Sequence, residues 1–507
     1  MKSKLLYFDR ALKWINNNTI DGNGIAVTSR QQVIYPEVTG YYIPTLLKWG
    51  ERKLALSYAK FLCGIQKKDG SWYDSQDMEP YIFDTAQILK GLISIREIFP
   101  EVDEHIIAGC DWMLTCMTEE GRLVTPSKDA WGTDESFCSE LIHIYCLTPL
   151  RDAGRAFNRV DYIDASNKIL DYYLNTKMEQ IRDFSLLSHF YAYVMEGLYD
   201  LGKVELCRDC MENLEKYQNA KGGIPGLKDV SWVCSTGMFQ LALVWYKLGE
   251  LEKGNRIFYY ACAQQNKTGG WYGSYPTSVM NRFYKGRQKA HYFESEEISW
   301  ANKYFLDALA LKEKLEFEKQ ADSFMDKIEV SDGRYQVVRD VVKEVAKDKN
   351  TEIHVCDLAC GKGRYLANLI KELPQNKYYA VDISENVMHC IDYVEEKKIG
   401  SLTEIPYADN KFDVVYVCEA LEHSINLEAA IRELYRVLAP EGKLVIIDKP
   451  IEALGKLEIY EWEQWIDDKR IDAICTELGA KLNIIASVAY EKPAKNDGLF
   501  RAWIVTK

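Results

Sequence analysis

The sequence has no run of 18 apolar residues, and its first residues lack the apolar stretch of a signal peptide. It also lacks an excess of basic residues: 63 lysines and arginines stand against 76 acids, a formal net charge of −13 at pH 7. A nucleic-acid-binding protein needs a concentrated basic face, so nucleic acid is not expected as a partner. We therefore expect a soluble, cytoplasmic protein without a membrane span. A homo-oligomer is compatible with the sequence, which leaves the oligomeric state open.

Cysteine patterns of the kind that bind zinc are scarce as well. The chain has 14 cysteines, but only Cys207 and Cys210 form a C-x-x-C pair, and neither a second pair nor a nearby histidine completes a metal site. Reduced thiols are expected in a cytosolic chain. Packing or chance spacing on a helix is the preferred interpretation of the pair, and no metal is predicted.

The length and composition indicate a globular protein of more than one domain. A chain of 507 residues is too long for one ordinary core, so two or three domains are expected. Its hydrophobic content of 47%, with 12% aromatics, is that of a folded chain and not of a disordered one.

A glycine-containing turn in the C-terminal third joins a predicted strand to a predicted helix. The strand covers residues 354–358, the turn contains Gly361 and Gly363, and the helical pattern begins at Tyr365. This order presents backbone N–H groups to a ligand. The next predicted strand ends at Asp382, an acid placed to bind two ribose hydroxyls. A triphosphate is not expected, because the turn lacks the Lys-Ser/Thr of a P-loop.

These residues resemble motif I and the second-strand acid of the class I S-adenosylmethionine (SAM)-dependent methyltransferases. The resemblance continues at residues 405–423, which are similar to the family's loop, fourth strand and following turn, and at 442–448, similar to its fifth strand. It covers residues 322–507. It implies a Rossmann-like α/β fold, methyltransferase activity (EC 2.1.1.-) and SAM as cofactor.

The resemblance also implies which residues bind the cofactor. Asp357 and the neighbouring turn would hold the methionine portion, Asp382 the ribose, and Ile383 would pack on adenine. In chain order the candidates are Arg334, Asp357, Ala359, Gly361, Gly363, Asp382, Ile383, Ser401, Leu402, Cys418 and Glu419.

Four of these candidates depart from the family pattern or have more than one interpretation. The family usually has glycine at the position of Ala359, and a methyl group there is expected to be tolerated. It often has an acid where this chain has Ser401 and Leu402, so a hydroxyl or backbone contact must substitute. Arg334 has two interpretations: a partner of the SAM carboxylate, or a surface arginine beside an ordinary helix N-cap.

A candidate base follows the fourth strand. Methyl transfer is an in-line displacement that depends mostly on alignment, but a hydroxyl acceptor must also lose its proton. An imidazole titrating near neutrality suits that task. His423 stands where relatives keep acceptor-side residues, and it is predicted to be the base, with Glu422 as a weaker candidate. A structural role for His423 is the alternative. Trp462 and Trp465 belong either to an acceptor lid or to a helix core.

The first 310 residues repeat with a loose period of about 50 residues. The marker is a short polar loop with glycine, and copies occur at residues 66–72, 118–122, 218–224 and 265–272. Between the loops lie helical patterns rich in Leu, Ala and Tyr, several of which end in a glycine C-cap. With a weaker copy at 134–143 there are six units, which predicts stacked helical hairpins.

Six such hairpins resemble an (α/α)6 toroid, the fold of terpenoid cyclases and of many carbohydrate-active enzymes. Residues 35–47, 83–87 and 270–276 are most similar to toroids of bacterial surface-polysaccharide clusters. The chain lacks the Asp-x-Asp-Asp run of a cyclase. The N-termini of the inner helices would converge on one mouth of the toroid. They carry Glu37, Tyr41, Asp84, Asp134, Glu135, His189, Tyr191, Glu297, Trp300 and Lys303. Carboxylates and flat aromatic faces suit the binding of a sugar, and paired carboxylates could also act on a glycosidic bond. The candidate roles of the toroid are therefore sugar binding and independent catalysis, with a pure scaffold as the alternative.

The sequence thus predicts an all-α toroid at residues 1–312, a helical linker at 313–330 and an α/β methyltransferase domain at 331–507. The predicted activity is O-methylation of a sugar, nucleotide-sugar or related precursor in polysaccharide biosynthesis, with the toroid binding carbohydrate. One alternative is a bifunctional enzyme whose toroid is an epimerase, hydrolase or lyase. The other is a methyltransferase of a small metabolite or amino acid with a non-catalytic toroid.

Overall fold

A computed structural model describes residues 4–126, 139–277, 292–491 and 493–507. Backbone proximity divides the chain into two compact units. The helical unit comprises Tyr7–Leu47 and Arg52–Leu315, and the C-terminal unit comprises Met1–Leu6, Lys48–Glu51 and Glu316–Lys507. The predicted positions Asp134 and Glu135 lie outside the described residues.

The helical unit consists mainly of α-helices joined by short loops. They are α1 (Leu5–Asn17), α2 (Pro36–Lys48), α3 (Arg52–Ile65), α4 (Ile82–Ser94), α5 (Asp103–Thr115), α6 (Leu147–Ala156), α7 (Val160–Thr176), α8 (Met178–Arg182), α9 (Ser188–Asp200), α10 (Val204–Leu214), α11 (Ser235–Lys247), α12 (Leu251–Cys262) and α13 (Ser299–Gln320). Short 3₁₀ helices cover Pro100–Val102, Glu140–Cys146 and Glu215–Tyr217. Two small antiparallel pairs join β1 (Thr19–Ile20) to β2 (Gly24–Ile25) and β3 (Trp232–Cys234) to β4 (Ser274–Pro276).

Two kinds of helix alternate along this unit. Helices α2, α4, α9 and α11 bury almost every residue, whereas α3, α5, α7, α10 and α12 bury one face only. A helix that is buried on all sides must be surrounded by other elements, while an amphipathic helix covers them from outside. The sequence-predicted helical hairpins thus consist of one deeply buried helix and one covering helix.

The polar glycine loops share one conformation. Gly70, Gly121, Gly222 and Gly269 have φ of +96°, +96°, +105° and +103°. A side chain is strained at such φ values. Each glycine also lies against the backbone of another helix, which is α5, α7, α12 and α1 in turn. A Cβ on Gly70 would stand 2.2 Å from the carbonyl oxygen of Ala108. These loops therefore require glycine for two independent reasons.

Three of these loops share a second contact, made by a glutamine four residues before the glycine. The Gln66 amide donates to the carbonyl oxygens of Gly70 and His105, both at 2.9 Å. The Gln265 amide donates to the carbonyls of Gly269 at 3.1 Å and of Tyr7, on α1, at 2.9 Å. The last loop of the helical unit therefore packs on its first helix.

The first and last buried helices of the unit also meet. The Tyr42 hydroxyl on α2 donates to the Ser299 carbonyl on α13, and the Thr45 hydroxyl donates to the Asp307 carboxylate at 2.7 Å. These hydrogen bonds, together with the packing of the Gly269 loop on α1, join the beginning of the helical unit to its end.

The C-terminal unit contains α14 (Gly333–Lys349), β5 (His354–Leu358), α15 (Leu366–Glu372), β6 (Lys377–Asp382), β7 (Glu396–Ile399), β8 (Phe412–Cys418), α16 (Leu427–Val437), β9 (Leu438–Asp448), α17 (Asp468–Leu478), β10 (Lys481–Tyr490) and β11 (Lys495–Thr506). Its 3₁₀ helices are Ala321–Ser323, Val387–Cys390, Leu421–His423 and Ile451–Ala453. The seven strands form one sheet in the order β10-β11-β9-β8-β5-β6-β7.

Strands β7, β6, β5, β8 and β9 are parallel, and β11 and β10 complete the sheet in antiparallel fashion. Both faces of the sheet are covered, because alternate strand residues enter different cores: Val414 and Tyr416 belong to one, Val415 and Val417 to the other. This is the open, doubly covered sheet whose ligands bind at the carboxyl ends of its strands. The predicted Rossmann-like fold of the C-terminal region is confirmed.

The segment predicted as a helical linker is helical only in part. Helix α13 continues through residues 313–320 and is followed by the 3₁₀ helix Ala321–Ser323, but residues 324–332 contain no helix. The segment with Trp462 and Trp465 is not helical either; both indoles are nevertheless buried. None of the described helices has the length and apolarity needed to cross a bilayer.

We expect Gly269→Ala to lower the thermal midpoint of unfolding. Its φ of +103° disfavours alanine, and the added Cβ would lie 2.0 Å from the Arg10 carbonyl oxygen. A left-handed residue with a Cβ costs about 1–2 kcal/mol before any clash. Gly64→Ala is the control, because Gly64 lies inside α3 with open space around it, where alanine favours the helix. Equal midpoints for the two variants in a calorimetric scan would contradict this account of the loops.

Candidate cofactor and acceptor site

The turn after β5 has three left-handed positions, at every second residue. Ala359, Gly361 and Gly363 have φ of 58°, 54° and 75°. The N–H of Cys360 donates to the Val381 carbonyl at 3.0 Å, which ties the turn to the end of β6. A Cβ on Gly361 would meet no atom within 4 Å, so this glycine borders open space. Glycine suits the position of Ala359 because φ is positive there. The alanine costs about 1 kcal/mol of conformational free energy.

Asp382 joins the turn to the loop after β6. Its Oδ2 accepts from the Gly361 N–H at 2.9 Å, and its Oδ1 accepts from the Ser384 N–H at 3.0 Å. Burial raises the pKa of the carboxyl. Ile383 follows it and is half-buried. Asp382 therefore fixes the shape of the turn, and its predicted contact with ribose hydroxyls stays a prediction.

Asp357, the penultimate residue of β5, is a buried acid with an unused acceptor. Its side chain is 3% exposed, and Oδ2 has no hydrogen-bond partner among the described residues. Burial raises the pKa of the carboxyl to about 8, an effect that the nearby Tyr416 hydroxyl and the charge of Arg364 partly oppose. An unpartnered buried oxygen is costly. The arrangement suits a ligand that brings a hydrogen-bond donor.

An ion-pair group lies at the ends of α14 and β8. The Arg334 guanidinium donates to Asp332 at 3.0 and 2.8 Å through Nε and Nη2, and to Glu419 at 2.9 Å through Nη1. Arg364 donates to the same Glu419 oxygen. Asp332 is the N-cap of α14, but Arg334 is only 5% exposed, so the interpretation of Arg334 as a surface arginine is wrong.

The other predicted cofactor residues lie near the same edge of the sheet. Cys418 ends β8, and burial raises the pKa of its thiol well above the usual range, so the thiol is neutral. Ser401 and Leu402 follow β7 and are half-buried. The Ser401 hydroxyl is 3.0 Å from the hydroxyl of Thr403.

A second charged group lies at the carboxyl ends of β8 and β9. Lys449 forms an ion pair with Glu422, and its ammonium is 4.0 Å from Glu463. Glu463 also accepts from the Trp465 indole N–H at 2.8 Å, and Asp448 accepts from the Glu422 N–H at 3.0 Å. Glu422 is 2% exposed, and its Oε2 has no partner among the described residues.

His423 borders this group. Its Nε2 is 3.5 Å from Glu422 Oε1, and its side chain is 30% exposed. Desolvation lowers the pKa of His423 to about 4, so the imidazole is neutral at pH 7. Burial and the neighbouring Asp448 raise the pKa of Glu422 to about 10. The sequence expectation of an imidazole titrating near neutrality is wrong, because sequence does not reveal desolvation.

Residues 356–446 match the family model described as a methyltransferase domain. This region is a methyltransferase domain. An uncharacterized protein of Methanocaldococcus jannaschii is 35% identical over 106 residues, 21% of this chain and 45% of that protein. A demethylmenaquinone methyltransferase of Leptospira interrogans is 30% identical over 138 residues, 25% of this chain and 53% of that protein. The chain spans about half the length of these curated relatives.

Among solved structures, a SAM-dependent methyltransferase from Archaeoglobus fulgidus aligns with 33% of this chain and 94% of its own, at 18% identity and a TM-score of 0.27. SAM is the cofactor of the methyltransferase domain, as the sequence predicted. The residues present fit it: the unpartnered Asp357 oxygen suits the methionine ammonium, and the space beside Gly361 leaves room for a ligand at the turn.

In the helical unit, the structure brings only some of the predicted mouth residues together. Glu37 and Asp84 are buried. Burial and the charge of Asp84 raise the pKa of the Glu37 carboxyl, which is hydrogen-bonded to Tyr35. Burial raises the pKa of Asp84 to about 8. The Tyr35 ring is 6.2 Å from the ring of Trp300, whose indole N–H has no partner among the described residues.

His189, Tyr41 and Lys303 form a neighbouring aromatic group. The His189 ring is 4.4 Å from Tyr193 and 5.9 Å from Tyr304, and the Lys303 ammonium lies 3.8 Å from the Tyr304 ring and 4.8 Å from that of Tyr41. Burial lowers the pKa of His189 to about 3. His189 is therefore neutral at pH 7.

Two predicted mouth residues have other surroundings. Tyr191 is hydrogen-bonded to Cys210 and packs on Phe184 at 5.4 Å, away from the His189 group. Glu297 accepts from the Trp14 indole at 2.7 Å and from Asn266 at 2.8 Å, so it fixes a loop. Cys207 and Cys210 donate to backbone carbonyls, and the described residues include no group of three or more potential metal ligands.

The sequence interpretation missed several charged residues of the site. Arg364 directly follows Gly363, and Lys449 directly follows the predicted fifth strand. These positions next to predicted motifs could have indicated that both residues lie in the site. Glu463 carried no such signal, because only the folded loop places it beside Lys449.

We expect the affinity for S-adenosylhomocysteine to rise with pH toward pH 8. Asp357 is neutral below its raised pKa of about 8, and the ammonium of the ligand favours the ionised carboxylate. If the ionised form alone binds, affinity falls about tenfold for each pH unit below 8. Isothermal titration calorimetry from pH 6 to pH 8 measures this slope. Asp357→Asn should abolish the slope, and a wild-type affinity independent of pH would refute the assignment.

Proposed function

We propose that this protein transfers the methyl group of SAM to a hydroxyl of a small-molecule acceptor, with His423 as the general base. The observation that carries the proposal is the place of His423 and Glu422, directly after the cofactor-side residues Cys418 and Glu419 at the end of β8. Bound SAM supplies an electrophilic methyl group. The chain then has to align the acceptor oxygen with that group and receive its proton.

The protonation states favour His423 over Glu422 as the base. The imidazole is neutral at pH 7, because its pKa is lowered to about 4, and it can accept a proton. Burial raises the pKa of Glu422, and its carboxyl is already held by Lys449, so Glu422 is the poorer candidate for the base. Lys449 and Glu463 hold Glu422 and the loop with Trp465 in place.

We further propose that the helical unit is an (α/α)6 toroid, with the boundaries predicted from sequence, and that it binds a carbohydrate acceptor of surface-glycan synthesis. The alternation of buried and covering helices supports the toroid, as do the contacts of α13 and the last loop with α2 and α1. The carbohydrate proposal is supported by the buried acids Glu37 and Asp84, which adjoin aromatic rings and the unpartnered Trp300 N–H.

A second acceptor class is favoured by a different observation. Five large apolar side chains are exposed among residues 451–460, which follow β9: Ile451, Leu454, Leu457, Ile459 and Tyr460. This segment begins two residues after Lys449, which lies near the proposed base. Such a surface suits an apolar ring system or chain better than a sugar. The relative from Leptospira interrogans is a demethylmenaquinone methyltransferase, and an acceptor of that apolar kind is therefore the second candidate.

We expect His423→Ala to lower turnover about 10²–10⁴-fold, the usual contribution of a positioned base. Affinity for S-adenosylhomocysteine should stay unchanged. In the wild type, activity should fall as the pH drops through about 4, since the protonated imidazole is inactive. His389→Ala is the control, because His389 is an exposed histidine of the same unit. A His423→Ala protein with full turnover and an intact acidic limb would exclude His423 as base.

The two acceptor classes are separated by a screen with methyl-labelled SAM. Sugars and nucleotide sugars are compared with a reduced naphthoquinone that carries a short prenyl chain. If the acceptor is apolar, the double variant Leu457→Ser, Tyr460→Ser should raise the KM for that acceptor about tenfold. Leu457 and Tyr460 are 48% and 72% exposed, and the variant loses two apolar contacts of about 0.8 kcal/mol each. Val330→Ser, at another exposed apolar site, is the control. Methylation of a sugar, with the double variant unchanged, favours the carbohydrate proposal.

A further inference from the structure

Two acids of the helical unit are brought together by a close contact between helices α2 and α4. A Cβ on Gly91 of α4 would stand 2.0 Å from the carbonyl oxygen of Gly40 on α2, and a Cβ on Gly40 would stand 2.5 Å from the Cα of Ile88. Glu37 precedes Gly40 by three residues on α2. Asp84 precedes Ile88 by four residues on α4. At these spacings each acid lies one turn from the contact, on the contacting face of its helix.

Among the described residues, no cation is paired with these two acids. Burial and the charge of Asp84 raise the pKa of Glu37, and the one positive charge that opposes this effect is that of Lys303. Lys303 already forms an ion pair with Asp307 at 2.8 Å. The charge that acts on Asp84 is that of another acid, Asp74, which raises the pKa of Asp84 further. Buried carboxyls without a cation are costly unless they hold protons or bind a cationic ligand.

The other titratable groups beside the acids are neutral at pH 7, because burial raises the pKa of each one well above its usual range. They are Tyr35, Tyr41, Tyr193 and Cys146. The Tyr35 ring lies 6.2 Å from the ring of Trp300. The faces of such rings attract an ammonium group, so they add to the attraction of the two carboxyls for a cation.

Two side chains with unused hydrogen-bonding atoms indicate that a ligand completes this group. Gln87 lies one turn beyond Asp84 on the same face of α4 and is fully buried. Neither its amide nitrogen nor its amide oxygen has a partner among the described residues, and the same holds for the indole N–H of Trp300, which is 5% exposed. Leaving such buried groups unpaired is costly, so they suit a ligand that carries several hydroxyls.

We infer that the ligand of the helical unit is an amino sugar, whose ammonium group binds between Glu37 and Asp84. Its hydroxyls pair with the Gln87 amide and the Trp300 N–H. The inference rests on the proposed binding of a carbohydrate by this unit and adds the charge of that carbohydrate. Since the pKa of Asp84 is raised to about 8, the acid pair holds a proton at pH 7, and the ligand ammonium displaces this proton into solvent.

The experiment is isothermal titration calorimetry on the full chain at pH 7 with glucosamine and with glucose, which has a hydroxyl in place of the amine. Glucosamine should bind about 10–100-fold more tightly, the effect of hydrogen bonds to a charged group. Its heat of binding should differ between buffers of different ionisation enthalpy, because a proton is released, and that of glucose should not. Equal affinities would overturn the inference alone. If neither sugar binds, the carbohydrate proposal fails with it.

Neutral variants of the two acids complete the test. Glu37→Gln and Asp84→Asn should each lower the preference for glucosamine, and the double variant should abolish both the preference and the buffer dependence while glucose still binds. Glu101→Gln, at an exposed acid of the same unit, is the control and should behave as the wild type. A wild-type preference in either folded single variant would contradict the inference. The comparison of the two sugars on the wild type needs no variant, so it decides the matter even where a variant does not fold.

Discussion

The parallel pairing of β5, β6, β8 and β9 is the constraint on which the chemistry of the C-terminal unit depends. Parallel strands end at the same edge of a sheet, so the residues at and after each strand end lie near one another although they are far apart in sequence. Asp357, Asp382, Glu419 and Lys449 all stand at such positions. The covered faces of the sheet leave this edge as the place where charged side chains meet a ligand.

Sequence patterns predicted the parts of this site that are local. The run of strand, glycine turn and helix at residues 354–372 predicted the turn, because φ values near +54° and +75° favour glycine at Gly361 and Gly363. The acid at the end of the next strand was found from the same reasoning. In the helical unit, the repeated polar loops were predicted for a similar reason: their glycines stand at φ of about +100°, where other residues are strained.

Contacts between distant segments could not be predicted. The group of Asp332, Arg334, Arg364 and Glu419 joins three separate elements, and the pairing of Lys449 with Glu463 depends on how the loop after β9 folds back. Glu297 was expected at a cavity mouth, but partners from α1 and from a loop take both of its oxygens. Side-chain type alone does not distinguish a ligand-binding acid from one that fixes a loop.

Desolvation has a further consequence for the proposed base. It makes His423 a weaker base than a free imidazole, but it also keeps the ring neutral, and therefore able to accept a proton, at every pH from about 5 upward. Methyl transfer to a hydroxyl releases the proton only as the new bond forms, so the driving force comes mainly from the sulfonium, and the base need not be strong. A low pKa at a partly open site is thus compatible with a catalytic role. Catalysis then depends more on alignment than on basicity. The buried Glu422 and Glu463, with the Lys449 that contacts both, are placed to provide that alignment.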